Sequence, residues 1–259
     1  MRRSSAGWWV LAVVLPGCGG EVFIEQMQLS AMTSGVCTIP STSSAPHIDQ
    51  GTFDLALGES YSVLPLFQNT ISATVQVLGV VVQLREGSPD GPLIGSAFTV
   101  YSTITIPAAD DGPGRRAGTI EVIPPQVAAV LQSAVCSINP STPRTAACPV
   151  PSYSSANRRL IVTLTAFGET ASGSEVETPP FTFPVVVCCG CLITFPTEAR
   201  APVSEHRSPN CNFGMASPGP ASCRLGQDLP VDCRLCSGTT PFCQPPGFAT
   251  DPTAPACAP

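Results

Sequence analysis

The chain has 259 residues, 13 of them cysteine, 29 proline and 22 glycine, and its 12 basic residues, all arginine, stand against 18 acidic ones for a net charge of -6. Hydrophobic residues make up 43% and suffice for a core, while charged residues at 12% fall well below the usual share of about a quarter, which is not the composition of a disordered chain. A negative balance without any basic run excludes nucleic acid as a partner, because phosphates call for clustered Lys or Arg.

At the N-terminus, Arg2 and Arg3 precede an apolar run from Trp8 to Leu15, the layout of a secretory signal peptide. That run is too short to span a bilayer, which takes roughly 20 apolar residues. Leu15-Pro16-Gly17-Cys18 follows and resembles the lipobox of bacterial lipoproteins. The resemblance implies cleavage before Cys18, lipid on its thiol and acylation of the new amine, hence a membrane partner reached through acyl chains. Gly19 in place of an aspartate implies, by the same analogy, the outer membrane. Residues 1–17 are thus expected to be a signal peptide, and the 12 cysteines beyond Cys18 form an even set suited to disulfides in an oxidising compartment.

From Glu21 to about Cys188 the hydrophobic period is two. Strands are expected near 21–30, 51–57, 60–68, 75–86, 98–106, 117–123, 160–165 and 181–187. Phe53, Leu55 and Leu57 share one face, as do Leu160, Val162 and Leu164, and Phe181, Phe183, Val185 and Val187. Ser88-Pro89-Asp90-Gly91 and Asp110-Asp111-Gly112-Pro113-Gly114 read as turns. Pro124-Pro125 opens one short helix with apolar Val127, Val130 and Leu131. Cys136 to Cys148 encloses a Ser-, Thr- and Pro-rich segment that reads as a stapled surface loop. Short strands with turn punctuation predict an all-β fold, an immunoglobulin-like β-sandwich over 18–195.

Residues 196–259 differ, with 12 Pro and 5 Gly among 64 positions, together with Cys211, Cys223, Cys233, Cys236, Cys243 and Cys257. So small and so apolar-poor a segment needs bridges in place of a core, and it reads as a Pro-rich linker followed by a disulfide-stapled module. The bridges are either internal or made back to Cys188, Cys189 and Cys191; Cys37, Cys136 and Cys148 complete the candidates, and spacing alone leaves the pairing open.

For chemistry, Cys188-Cys189-Gly190-Cys191 and Cys233-Arg234-Leu235-Cys236 are C-x-x-C motifs. A redox thiol of that kind sits at a helix N-terminus, and Leu192-Ile193-Thr194-Phe195-Pro196 is not helical. Zinc would need free thiolates and a tighter spacing between the pairs, so the two motifs read as structural bridges. His47 and His206 are the only histidines, and no nucleophile elbow, H-E-x-x-H or phosphate-binding loop occurs. With no lysine, Schiff-base chemistry is excluded. No catalytic residue, metal ligand or cofactor site is expected. The expected role is that of a non-catalytic, lipid-anchored envelope or surface protein. It would bind an envelope protein or polysaccharide through the 136–148 loop or the 211–243 module. Two alternatives remain: a hydrolase or accessory protein using acids such as Asp110, Asp111, Glu175 and Glu177, and a metal or redox protein if the cysteines are free; calcium at Asp90, Asp110 or Asp111 is a minor alternative.

Overall fold

The computed structural model describes residues 20–33, 36–136, 157–196, 211, 223–236 and 243. Along the chain run β1 (Val22–Gln28), β2 (Ala31–Thr33), β3 (Val36–Thr38), β4 (His47–Ile48), β5 (Gly51–Asp54), β6 (Tyr61–Val63), β7 (Pro65–Asn69), β8 (Val75–Glu86), β9 (Phe98–Ile106), β10 (Gly114–Ala117) and β11 (Ile120–Ile123). Helix α1 (Pro125–Val135) follows, then β12 (Arg158–Thr170), β13 (Glu175–Glu177), β14 (Phe181–Cys188), β15 (Ile193–Thr194), β16 (Val231–Asp232) and a single helical turn at Cys233–Cys236. The protein is built mostly of β-strands, with two helices among the described residues.

Two sheets carry the architecture. The larger has the order β5-β14-β12-β8-β9 with β13 paired to β12; the smaller has the order β10-β7-β1-β4. The pair β6·β11 continues the pairing of β7 with β10 past a break at Leu64, where the Gly118 N–H donates to the Pro65 carbonyl at 3.0 Å. Most pairings are antiparallel, but β5 joins β14 in parallel, with Phe53 opposite Val187 and Asp54 opposite Cys188.

The period-two pattern becomes one shared core. Val75, Val77, Val80, Val82, Leu160, Val162, Leu164, Phe183, Val185 and Val187 from the large sheet are buried with Val22, Ile24, Met27 and Phe67 from the small one. Such residues alternate on the pleat, so one face of each strand leaves water together and the hydrophobic term accumulates on that face. On β9 the outward set Thr99, Tyr101, Thr103 and Thr105 stays exposed, as the alternation requires. The 51–57 segment is shorter than expected, because β5 ends at Asp54 and a turn follows. Helix α1 forms where the two prolines place it, yet its buried stripe is Ala128, Leu131 and Val135, while Val130 is 66% exposed. One turn of helix cannot aim both Val130 and Leu131 inward, and the larger leucine takes the core.

Five disulfides fall on described residues: Cys37–Cys223, Cys136–Cys189, Cys188–Cys191, Cys211–Cys233 and Cys236–Cys243. The expected staple from Cys136 to Cys148 is corrected by this pairing. Cys136 caps the end of α1, close to the end of β14, and bonds Cys189 across a separation of 53 residues. Cys18, Cys148 and Cys257, and the 137–156 loop, lie outside the described residues. The bridges differ greatly in what they constrain. On the chain-entropy account the 186-residue separation of Cys37–Cys223 is worth about 5 kcal/mol and the three-residue separation of Cys188–Cys191 about 2.

Candidate functional site

The chemistry-bearing residues gather at one edge, where β5 and β14 end and residues 223–229 return to the sheets. An unpaired edge strand exposes donors and acceptors to any passing chain. Here the outer edge of β5 is covered by its own C-terminal segment. The Asp54 N–H donates to the Gly226 carbonyl at 2.8 Å, the Asp228 N–H donates to the Thr52 carbonyl at 2.9 Å, and Phe53 lies opposite Gln227. Gly226 has a φ of 76°, and a Cβ there would come within 2.8 Å of the Gly58 nitrogen, so the approach needs glycine.

The same segment also reaches β6. The Gln227 side chain donates to the Ser60 carbonyl at 2.9 Å and accepts the Ser62 N–H at 3.2 Å, while Arg224 donates to the Ser62 carbonyl at 3.2 Å. Asp228 sits at a φ of 61°, in the left-handed region that aspartate tolerates better than most residues. Its Oδ1 accepts the Thr52 N–H at 2.9 Å and the Tyr61 hydroxyl at 2.7 Å. Burial pushes the Asp228 carboxyl above the ordinary carboxylate range, against the pull of the Thr52 and Tyr61 donors and the Arg224 charge. Burial, and then the Asp228 charge, hold the Tyr61 phenol well above its ordinary value, and burial lowers Arg224. Beside this group a cavity of about 10 Å³ is lined by Gln28, Tyr61, Arg224 and Asp228 among others. The buried Gln28 Oε1 has no donor among the described residues, and a space of that size suits a single water.

The second cluster lies on the other side of β5. Asp54, fully buried, accepts the Gly190 N–H at 2.6 Å and the Ala56 N–H at 3.0 Å on Oδ1, and the Leu192 N–H at 2.9 Å on Oδ2. Its carboxylate therefore organises the backbone of the Cys188–Cys191 loop. Asp54, Cys188 and Cys191 bring a carboxylate oxygen and two sulfurs within 4.8 Å of one another. Burial pushes the Asp54 carboxyl upward, and the Leu192, Gly190 and Ala56 donors partly offset it. With the two sulfurs bonded to each other they offer no thiolates, so the trio does not fit a divalent cation. Cys211, Asp232 and Cys233 form a similar trio, again with its sulfurs joined, and Arg234 engages Asp232 through its Nε at 2.7 Å.

Of the acids singled out in the sequence, Asp90, Asp110, Asp111, Glu175 and Glu177 are exposed in turns and on β13. His47 is exposed on β4 and His206 lies outside the described residues. Asp54 and Asp228 carried no motif. The one hint for Asp54 is an acid in the middle of an apolar run, and nothing in the local pattern marks Asp228.

Comparison with protein-family models and with curated proteins finds no match. Among solved structures, a crystal structure of a protein from Archaeoglobus fulgidus is similar over 49% of this chain and 83% of that one, with 11% identity and a TM-score of 0.28, too slight a likeness to carry an argument.

Proposed function

We propose that this is an exported, lipid-anchored envelope protein that acts without catalysis, as a rigid β-scaffold presenting loops to an envelope protein or polysaccharide. The observation that carries the reading is the lipobox-like Leu15-Pro16-Gly17-Cys18 lying four residues ahead of β1, whose Val22 is buried in the core. Acyl chains on Cys18 would hold the body against the membrane surface, since two or more chains give stable anchoring where one is marginal. Five bridges on the described residues fit an oxidising compartment, the bacterial periplasm or cell surface. No described helix is long and apolar enough to cross a membrane.

Two sheets sharing one core support an immunoglobulin-like sandwich as the scaffold over 18–195, with 196–259 as a bridge-held module applied to its edge. A hydrolase would need carboxylates paired in a cleft, and Asp90, Asp110, Asp111, Glu175 and Glu177 are exposed in turns and on β13. The test is expression with labelled palmitate and intact mass of the detergent-extracted protein. An N-terminus at Cys18 carrying acyl chains is expected, with Cys18→Ser unlabelled and released to the aqueous fraction. An unlipidated wild-type protein would overturn the reading.

A further inference from the structure

We propose that Cys188–Cys191 is a thiol–disulfide exchange site, opened by a dithiol that attacks the exposed Sγ of Cys191 while the buried Sγ of Cys188 leaves beside the Asp54 carboxyl. Three observations carry this. The pair is asymmetric, since Cys191 is exposed and Cys188 is 1% exposed, so an incoming thiolate reaches one sulfur only. The loop is held without the bridge. Asp54 accepts the Gly190 and Leu192 N–H groups, the Leu55 N–H donates to the Cys188 carbonyl at 2.9 Å, and Cys189 is tied to Cys136. A bond closing a three-residue separation adds little to such a frame. Lastly, a buried carboxyl lies within 4.8 Å of both sulfurs.

The comparison within the molecule is direct. Cys211–Cys233 also has an aspartate at hand, but both cysteines are buried at 0% exposure and Asp232 is engaged by Arg234. Cys37 is exposed, but its bridge spans 186 residues and fastens the C-terminal segment to the body.

In the exchange, a thiolate of the dithiol attacks Cys191 Sγ, the Cys188–Cys191 bond breaks, and Cys188 Sγ departs with the electron pair. The departing thiolate, beside the Asp54 carboxyl, takes up a proton released by the dithiol. The second thiol of the dithiol then attacks the mixed disulfide and releases Cys191. The protein gains two thiols, whose protons come from the dithiol, and the dithiol becomes a disulfide. The protein's own disulfide is the oxidant and the dithiol the reductant. The reverse reaction restores the bridge. Asp54 acts as a positioning residue, since its contacts are to the loop backbone.

The experiment is timed reduction of the full-length oxidised protein with dithiothreitol, acid quench, alkylation in denaturant so that buried thiols also label, and peptide mapping, with circular dichroism followed in parallel before the quench. Cys188 and Cys191 are expected to label together and about tenfold faster than Cys136, Cys189, Cys211 and Cys233, with the β-sheet signal intact. Labelling in step with or after those bridges, or only as the sheet signal is lost, would overturn the proposal. In Asp54→Asn the pH profile of this first phase should flatten and its rate fall. An unchanged profile would remove Asp54 from the step, and the selective opening in wild type stands or falls without that variant. Acylation of Cys18 does not enter the readout, so loss of the anchoring reading and loss of this one are separate results.

Discussion

The Tyr61 hydroxyl donates to Asp228 Oδ1 at 2.7 Å across 167 residues of chain, and the same oxygen accepts the Thr52 N–H. One acceptor thus joins β5 of the large sheet, β6 beside the small one, and the C-terminal segment. Asp228→Ala leaves the buried phenol without its partner and places an alanine at a positive φ. The two losses together should cost about 2–4 kcal/mol. Asp228→Asn keeps the acceptor and the backbone tolerance and should cost about 1 kcal/mol or less. Denaturant melts of the two variants check this, and equal losses would contradict the role of Oδ1.

Gly51 packs under that phenol. A Cβ there would lie 1.9 Å from the Tyr61 hydroxyl oxygen and 3.0 Å from Phe183 Cε1. Both rings are in the core, so neither can retreat cheaply. Gly51→Ala is expected to destabilise by about 1–3 kcal/mol and to loosen residues 224–228, which hydrogen exchange would report as faster amide exchange at Asp228.

The pH dependence follows from the raised carboxyls of Asp54 and Asp228. A folded state that holds these protons more tightly than the unfolded chain has their contribution in full below the ordinary carboxylate value. That contribution is lost as pH rises through the raised folded value. Asp232, lowered by Arg234, works in the opposite direction, so the whole-protein curve mixes both signs. The difference between wild type and Asp228→Asn isolates one group. The variant should gain stability relative to wild type as pH rises through that window, measured as melting temperature against pH, and a difference curve of the opposite slope would refute the assignment.

The bridges should separate by the length of chain they close. Replacing Cys37 and Cys223 together by serine should cost about 3–5 kcal/mol, whereas replacing Cys188 and Cys191 together should cost about 2 kcal/mol at most. Thermal melts of the two double variants under oxidising conditions decide it, and equal costs would contradict the loop-length account.

On α1, Leu131→Ala should cost about 2–4 kcal/mol and Val130→Ala less than about 0.5, since Leu131 is buried and Val130 is not. Reversed magnitudes would place the helix in the rotation its sequence first suggests.

Strand positions were legible from the chain because burial on a pleated sheet imposes a period of two, which β9 and β14 keep, while β1 breaks it after Ile24 and β8 after Val77. The helix was legible from Pro124 and Pro125, though Val127, Val130 and Leu131 are too few to settle which face turns inward. The break at Leu64 and the strand β10 were not, because Gly114 to Ala117 are a turn-like glycine, two arginines and an alanine that pair only because β7 is beside them. Disulfide character followed from the number of cysteines and their even set beyond Cys18, whereas the pairing did not. Adjacent Cys188 and Cys189 point to opposite sides of the chain and take different partners, a distinction made by the end of β14 and the position of α1. The site residues fall under the same division. Asp54 and Asp228 are separated by 174 positions, Asp54 at the end of β5 and Asp228 on the segment along its outer edge, and their roles come from which backbone donors and which sulfurs surround them after folding. Composition and local period, being properties of single segments, determined the β-rich class and the reliance on bridges. Contacts between distant segments, which no local pattern encodes, decided the cysteine pairs, the covered sheet edge and the two buried carboxyls.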